Sequence, residues 1–201
     1  MGRWRRRVVG RGRRLVRRRR QLRRRRRFGW MGLTMRSSGR WLRHLVTDHG
    51  TARRAFPAAA LASIEAAIAD GERRHRGQVR FAVEPSLPLG HVLRGQSPRE
   101  RALEAFGALR VWDTEENCGV LVYLLLADRD VEIVADRGIH AKVERGAWEA
   151  ICREMESAFR ARRFAEGAEA GIGRINALLA AHFPRAGTAG ANELPDRPVV
   201  L

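Results

Sequence analysis

Residues 119–127 read GVLVYLLLA, an unbroken apolar run whose only polar atom is the Tyr123 hydroxyl. The run falls far short of the ~20 residues that span a bilayer. Its Val, Leu and Tyr content predicts a central β-strand covered on both faces. Residues 127–130 (ADRD) follow with turn chemistry, because short Asp side chains bond their own backbone. Residues 131–135 (VEIVA) then predict a return strand, making a hairpin. Asp113, Glu115, Glu116 and Asn117 precede this hairpin and Asp136 follows it. Two antiparallel strands of similar length emerge at one edge of a sheet, so the two acidic connections are expected to be neighbours.

The rest of the chain supplies layers for that hairpin. Residues 56–68 open with Phe-Pro and carry Leu61, Ile64, Ala67 and Ile68 as a helical stripe, with Gly71 or Gly77 ending the region. Residues 78–84 (QVRFAVE) alternate as a first strand, with Glu84 expected at an exposed strand end. Ser97-Pro98-Arg99-Glu100 is a capping box that starts a helix. Trp148, Ile151, Met155 and Phe159 recur at three and four residues, and a last helix follows from Phe164 to His182. The glycines at 167, 171 and 173 allow close helix approach and follow no strand, so they make no phosphate loop. The order α-β-α-β-β-α-α predicts a mixed α/β sandwich, with helices burying both faces of a small sheet. The foldable domain runs from 56 to 183, and residues 184–201, without period, predict a disordered tail.

The net charge of +18 is concentrated at one end. Residues 1–30 hold 16 arginines and no acid, and the other 171 residues are nearly neutral. Residues 1–35 are therefore either a disordered basic arm for nucleic acid or anionic lipid, or the product of a start assigned upstream of Met31 or Met35. A nucleic-acid partner is expected only if the arm is translated. In the 40–55 segment Trp41, Leu42 and Leu45 stand at helical spacing beside arginines, a pattern for a membrane surface or for packing on the domain edge. His44 and His49 are expected at the surface. Two cysteines, Cys118 and Cys152, show no framework spacing and point to free thiols. No apolar stretch predicts an integral membrane segment, and the expected location is cytoplasmic or peripheral at a membrane.

The run from Asp113 (DTEENCGVLVYLLL), the turn ADRD, the strand VEIVADRG, and Phe159 with FAEGAEAGI from Phe164 resemble the TPM domain over about residues 56–183. That family includes thylakoid-lumen and photosystem-repair proteins, and this chain looks like a stand-alone bacterial member. The resemblance implies a Rossmann-like three-layer α/β/α sandwich with a small mixed sheet. It also implies acidic loops that bind calcium or another divalent cation such as magnesium. Typical members read Asp-Asn-Gly before the central strand, where this chain has Asn117-Cys118-Gly119. After the second strand they read Gly-Tyr-Gly, where Asp136-Arg137-Gly138 stands here. The candidate metal set is Asp113, Glu116, Asn117 and Asp136, completed by carbonyls and water. The competing reading is that these acids cap helices and solvate loops.

Two functions follow. One is a non-enzymatic module for protein interaction and assembly, in the cytoplasm or at a membrane, with an optional cation site. The other is a metal-assisted acid phosphatase, an activity proposed for a plant relative, with Arg129 or Arg137 clamping phosphate. The sequence holds no Cys-x5-Arg loop and no paired metal-ligand histidines. Asp128-x-Asp130 is explained by the turn, so no catalytic residue is assigned.

Overall fold

The computed structural model describes residues 31–185 and 192–201. The arginine-rich 1–30 and the first part of the tail lie outside them. Residue contacts divide the chain into 1–37 and 38–201. The first unit contributes the opening turns of helix α1 (Met31–Val46); everything below concerns the second.

Helices α2 (His49–Ala55) and α3 (Ala58–Glu72) lead to strand β1 (Gln78–Glu84). A short α4 (Leu89–Leu93) and α5 (Pro98–Ala108) carry the chain over to β2 (Gly119–Leu125). Strand β3 (Asp130–Ala135) returns beside it, then α6 (Arg137–His140), α7 (Arg145–Arg160), α8 (Phe164–His182) and β4 (Val199–Val200) follow. The sheet order is β3-β2-β1-β4. β1 runs parallel to β2 and to β4, and β3 is antiparallel to β2.

All seven residues of β2 are buried, as a central strand with helices on both faces requires. Val122 and Leu124 face one core with Phe81, Val83 and Ile133, under α3, α7 and α8. Leu121, Tyr123 and Leu125 face the other, with Ala102, Ala105 and Val111 on the α5 side. This alternation makes the three-layer α/β sandwich expected from the sequence. Each large apolar side chain so buried contributes about 1.5–3 kcal/mol. Phe56 joins the larger core, with its ring 5.9 Å from that of Phe81 and 6.2 Å from that of Phe159.

Helix boundaries follow local chemistry. Ser97 and Glu100 form the reciprocal capping box on α5. Pro57 is the N-cap of α3, one position earlier than a first-turn proline. α3 continues through Gly71 to Glu72, and α8 packs tightly on Gly71: a Cβ there would lie 2.1 Å from Asn176 Cγ. Asn176 in turn joins His75 Nε2 (3.1 Å) and the Ala67 carbonyl (2.9 Å). Both cysteines are free, Cys118 buried and Cys152 half-buried.

The expectation of a disordered 184–201 does not hold for its last ten residues. Gln78 Oε1 accepts the Glu193 and Leu194 N–H groups, Leu194 is buried, and β4 pairs with Ala82 and Val83. Covering the open edge of β1 satisfies its backbone. A two-residue strand is too short to show a period in sequence.

Glu72 is 6% exposed, and its Oε1 accepts the Val79 N–H at 2.7 Å. Burial, reinforced by the charge of Asp196, outweighs that bond and raises its carboxyl from 4.5 to about 7. The folded-state value lies above the unfolded one, so this contribution is full below pH 4.5 and is lost as pH rises through about 7. Urea unfolding at pH 5 and pH 8 is expected to show lower stability at the higher pH, by up to about 1.4 kcal/mol per unit across that window. Glu72→Gln is expected to flatten the slope; an unchanged slope would contradict the assignment.

Candidate functional site

The hairpin ends bring the two acidic connections together as expected. Asp136 donates its N–H to the Gly119 carbonyl at 2.9 Å, and Gly138 donates to the Asn117 carbonyl at 3.1 Å. Asn117 adopts φ +52°, a left-handed conformation that Asn tolerates. The loop behind it is tied by Thr114, whose carbonyl accepts Asn117 N–H and whose Oγ1 accepts Cys118 N–H. The carbonyls of Glu116 and Asn117 crowd Gly138 so closely that a Cβ there would meet them at 2.9 and 2.6 Å. Asp136 is the N-cap of α6, accepting the Arg137 N–H on Oδ1 at 2.7 Å. Its Oδ2 is buried with no hydrogen-bond partner among the described residues.

Of the four predicted ligands, only Asn117 and Asp136 are joined by this network. Asn117 Oδ1 accepts from Arg137 Nε at 2.9 Å. Glu116 turns to Arg76, with Oε2 2.6 Å from Nη1 in a largely exposed pair. Asp113 is exposed on the turn that follows α5. Among the described residues no three His, Cys, Asp or Glu side chains gather as a metal group. The donors that suit a hard cation are therefore Asp136 Oδ2, the Asn117 side chain and neighbouring loop carbonyls, fewer than the six to eight oxygens calcium takes. A cation there would need water to complete its shell, and Arg137 Nε already occupies Asn117 Oδ1.

The far end of the hairpin, where the sequence carries turn chemistry, holds a denser polar cluster. Asp128 receives Arg40 Nε at 2.8 Å, Arg43 Nη2 at 3.1 Å and His44 Nε2 at 3.4 Å. His44, expected at the surface, is 5% exposed because the Leu87 N–H also donates to its Nδ1 at 2.9 Å. An N–H can only donate, so Nδ1 accepts and Nε2 carries the proton toward Asp128. Burial pushes the Asp128 carboxyl upward, but the bonds from His44, Arg40 and Arg43 outweigh it and hold it well below the usual range. Next to it, Asp130 is raised to about 6 by burial and by the charges of Glu132, Glu156 and Asp128.

Glu84 is also not an exposed terminus. It is 5% exposed, bonded to Arg101 Nε at 2.8 Å and to the Tyr123 hydroxyl at 2.5 Å. Burial and the Glu84 bond push the Tyr123 phenol far above its ordinary value. These partners lie 17 and 39 residues away in sequence, and no local pattern announces them.

A mixed four-stranded sheet between helical layers, with its polar groups gathered at the two ends of one hairpin, defines an α/β sandwich scaffold. The family model of the TPM domain matches residues 52–178. The chain belongs to the TPM domain family. Among solved structures it is similar to the BA42 protein from the psychrophilic bacterium Bizionia argentinensis, determined by NMR, at 26% identity. The match covers 72% of this chain and 94% of that one, with a TM-score of 0.64. Comparison with curated proteins returns no match.

Asp128→Asn is expected to weaken the hold on α1 without unfolding the sheet. Hydrogen exchange of the amides at 40–46 is expected to accelerate about tenfold or more, the loss of charged hydrogen bonds worth roughly 1.5–3 kcal/mol each. Amides of β2 are expected to keep their protection; equal acceleration in both would contradict a local anchor.

Proposed function

We propose that this protein is a non-enzymatic binding module for a protein partner in the cytoplasm, with a weak calcium or magnesium site at the Asn117–Asp136 end of the hairpin. The observation that carries the cation site is Asp136 Oδ2, buried without a hydrogen-bond partner among the described residues, on a loop that Gly138 N–H ties to the Asn117 carbonyl. A carboxylate oxygen desolvated without a donor favours a positive charge next to it. Asp113 and Glu116 are not direct ligands in this reading: Glu116 is paired with Arg76, and Asp113 is exposed on the preceding turn. Support for a non-enzymatic role comes from the candidate nucleophiles. Burial pushes the Cys118 thiol up and the Cys152 thiol to about 12, and Tyr123 is held protonated, so all three are poor nucleophiles at neutral pH.

Calcium added to millimolar levels is expected to shift the amide resonances of residues 117–119 and 136–138 in a saturable way. Asp136→Asn keeps a competent helix cap and is expected to abolish the shifts. Arg137→Gln frees Asn117 and removes a like charge, so affinity is expected to rise several-fold. Absence of shifts in all three proteins would reject the site. A generic phosphate ester is expected to be hydrolysed no faster by the wild type than by Asp113→Ala; a faster wild type would favour the metal-assisted phosphatase.

A further inference from the structure

The outer edge of β1 is covered by the chain's own C-terminal segment, and β1 holds that segment chiefly by its main chain. Gln78, buried at the start of β1, turns its Oε1 to the N–H groups of Glu193 (2.9 Å) and Leu194 (3.1 Å). Two residues on, Arg80 donates Nη1 to the carbonyls of Pro195 and Arg197. β4 then adds a ladder of only two residues opposite Ala82 and Val83, and Leu201 N–H closes on the Val83 carbonyl at 2.9 Å. Among residues 192–201 only Leu194 and Pro198 are buried. A strand that simply completed the sheet would be held by a backbone ladder along its length. Here β1 directs two of its own side chains at N–H and carbonyl groups that any extended peptide carries, and two apolar side chains four residues apart are buried. These are the terms of strand addition, in which main-chain bonds supply affinity and pockets for chosen side chains supply selectivity. β1 falls within the residues matched by the TPM domain, and the segment that covers it falls outside them.

We propose that the outer edge of β1 is the docking site for an extended segment of a protein partner, and that residues 193–201 occupy it in cis as a competitor. The segment that fits carries Leu-x-x-x-Pro followed by apolar residues, as the chain's own does. This rests on the reading of the protein as a binding module and names the kind of partner; the cation site plays no part in it. An empty edge would leave the buried Gln78 acceptor and the outer backbone groups of β1 unpaired. Replacement of one strand by another is therefore favoured over simple release. A tethered strand competes at an effective concentration of about a millimolar, so the tail lowers the partner's apparent affinity until it is displaced. A second copy of the chain supplies the same segment only by exchanging tails, which gains no contact over the cis arrangement.

The test uses the full chain and a synthetic peptide of residues 192–201, with a nitroxide or a fluorophore at its N-terminus, in EDTA. Chelation makes the result independent of the proposed cation site. Leu194→Asp with Pro198→Asp in the protein releases the tail, and this variant is expected to bind the fluorescent peptide about tenfold or more tighter than the wild type. The same two substitutions placed in the peptide are expected to abolish binding. Arg80→Gln in the released variant is expected to weaken binding several-fold, by removing the bonds to two carbonyls. With the nitroxide peptide, amides of residues 78–80 are expected to broaden before those of 83 and 84, as the parallel register requires. Retained hydrogen-exchange protection in β2 verifies that the released variant is folded. Should it not be, the wild type decides: the nitroxide peptide at several millimolar is expected to broaden the same amides. Absence of that broadening, or equal affinity in a folded released variant and the wild type, would overturn the proposal. Broadening centred elsewhere would also overturn it, while leaving the protein a binding module through another surface. So would a wild-type dimer that the released variant converts to monomer, which would assign the edge to exchanged tails.

Discussion

β1 and β2 lie side by side in parallel from Gln78 opposite Gly119 to Glu84 opposite Leu125. A parallel pair cannot be closed by a tight turn, so the chain must cross over, and here it does so through α4 and α5. That crossover covers one face of the sheet, and α3, α7 and α8 cover the other. With both faces covered, β2 admits no polar side chain along its length except the Tyr123 hydroxyl, which finds Glu84. Polar chemistry is thereby driven to the strand ends. β3 pairs antiparallel with β2, so the open end of the hairpin joins the connections before β2 and after β3, while the other end is the turn between them.

The two ends differ in what their carboxylates meet. Asp128 is enclosed by three basic side chains and behaves as a structural anchor. Breaking a buried pair of this kind leaves an uncompensated charge, which makes the anchor costly to lose. Asp136 keeps one oxygen without a hydrogen-bond partner among the described residues, and the guanidinium of Arg137 is bonded to Asn117. Asp128 is matched by its partners and holds a helix, although Asp130 Oδ1 beside it is buried without a hydrogen-bond partner among the described residues, as Asp136 Oδ2 is at the other end. The anchoring of α1 by Asp128 is thus distinct from the cation binding proposed for Asp136.

Much of this was legible in sequence. The run 119–127 predicted its central strand because only a doubly covered strand is apolar throughout, and the capping box at Ser97 placed α5. Hairpin arithmetic put Asn117 and Asp136 together without any knowledge of their contacts. Asp113 and Glu116 were grouped with them by sequence proximity alone. The bonds that divert Glu116 to Arg76, 40 residues away, and Asn117 to Arg137 are tertiary choices. The same limit hid His44, whose partners lie 43 and 84 residues on, and β4, whose pairing satisfies an edge rather than expressing a pattern. The spacing of Arg40, Arg43 and His44 did mark one helical face, but which face turns inward depends on Asp128.

Paramagnetic broadening by manganese, a divalent ion with similar oxygen preference, decides between the two ends most directly. With manganese substoichiometric to protein, the amides of residues 117–119 and 136–138 are predicted to broaden first, while those of 128–132 stay sharp. Broadening centred on Asp130 and Glu132 with 117 and 136 untouched would place the cation demand at the other end and contradict the assignment of roles.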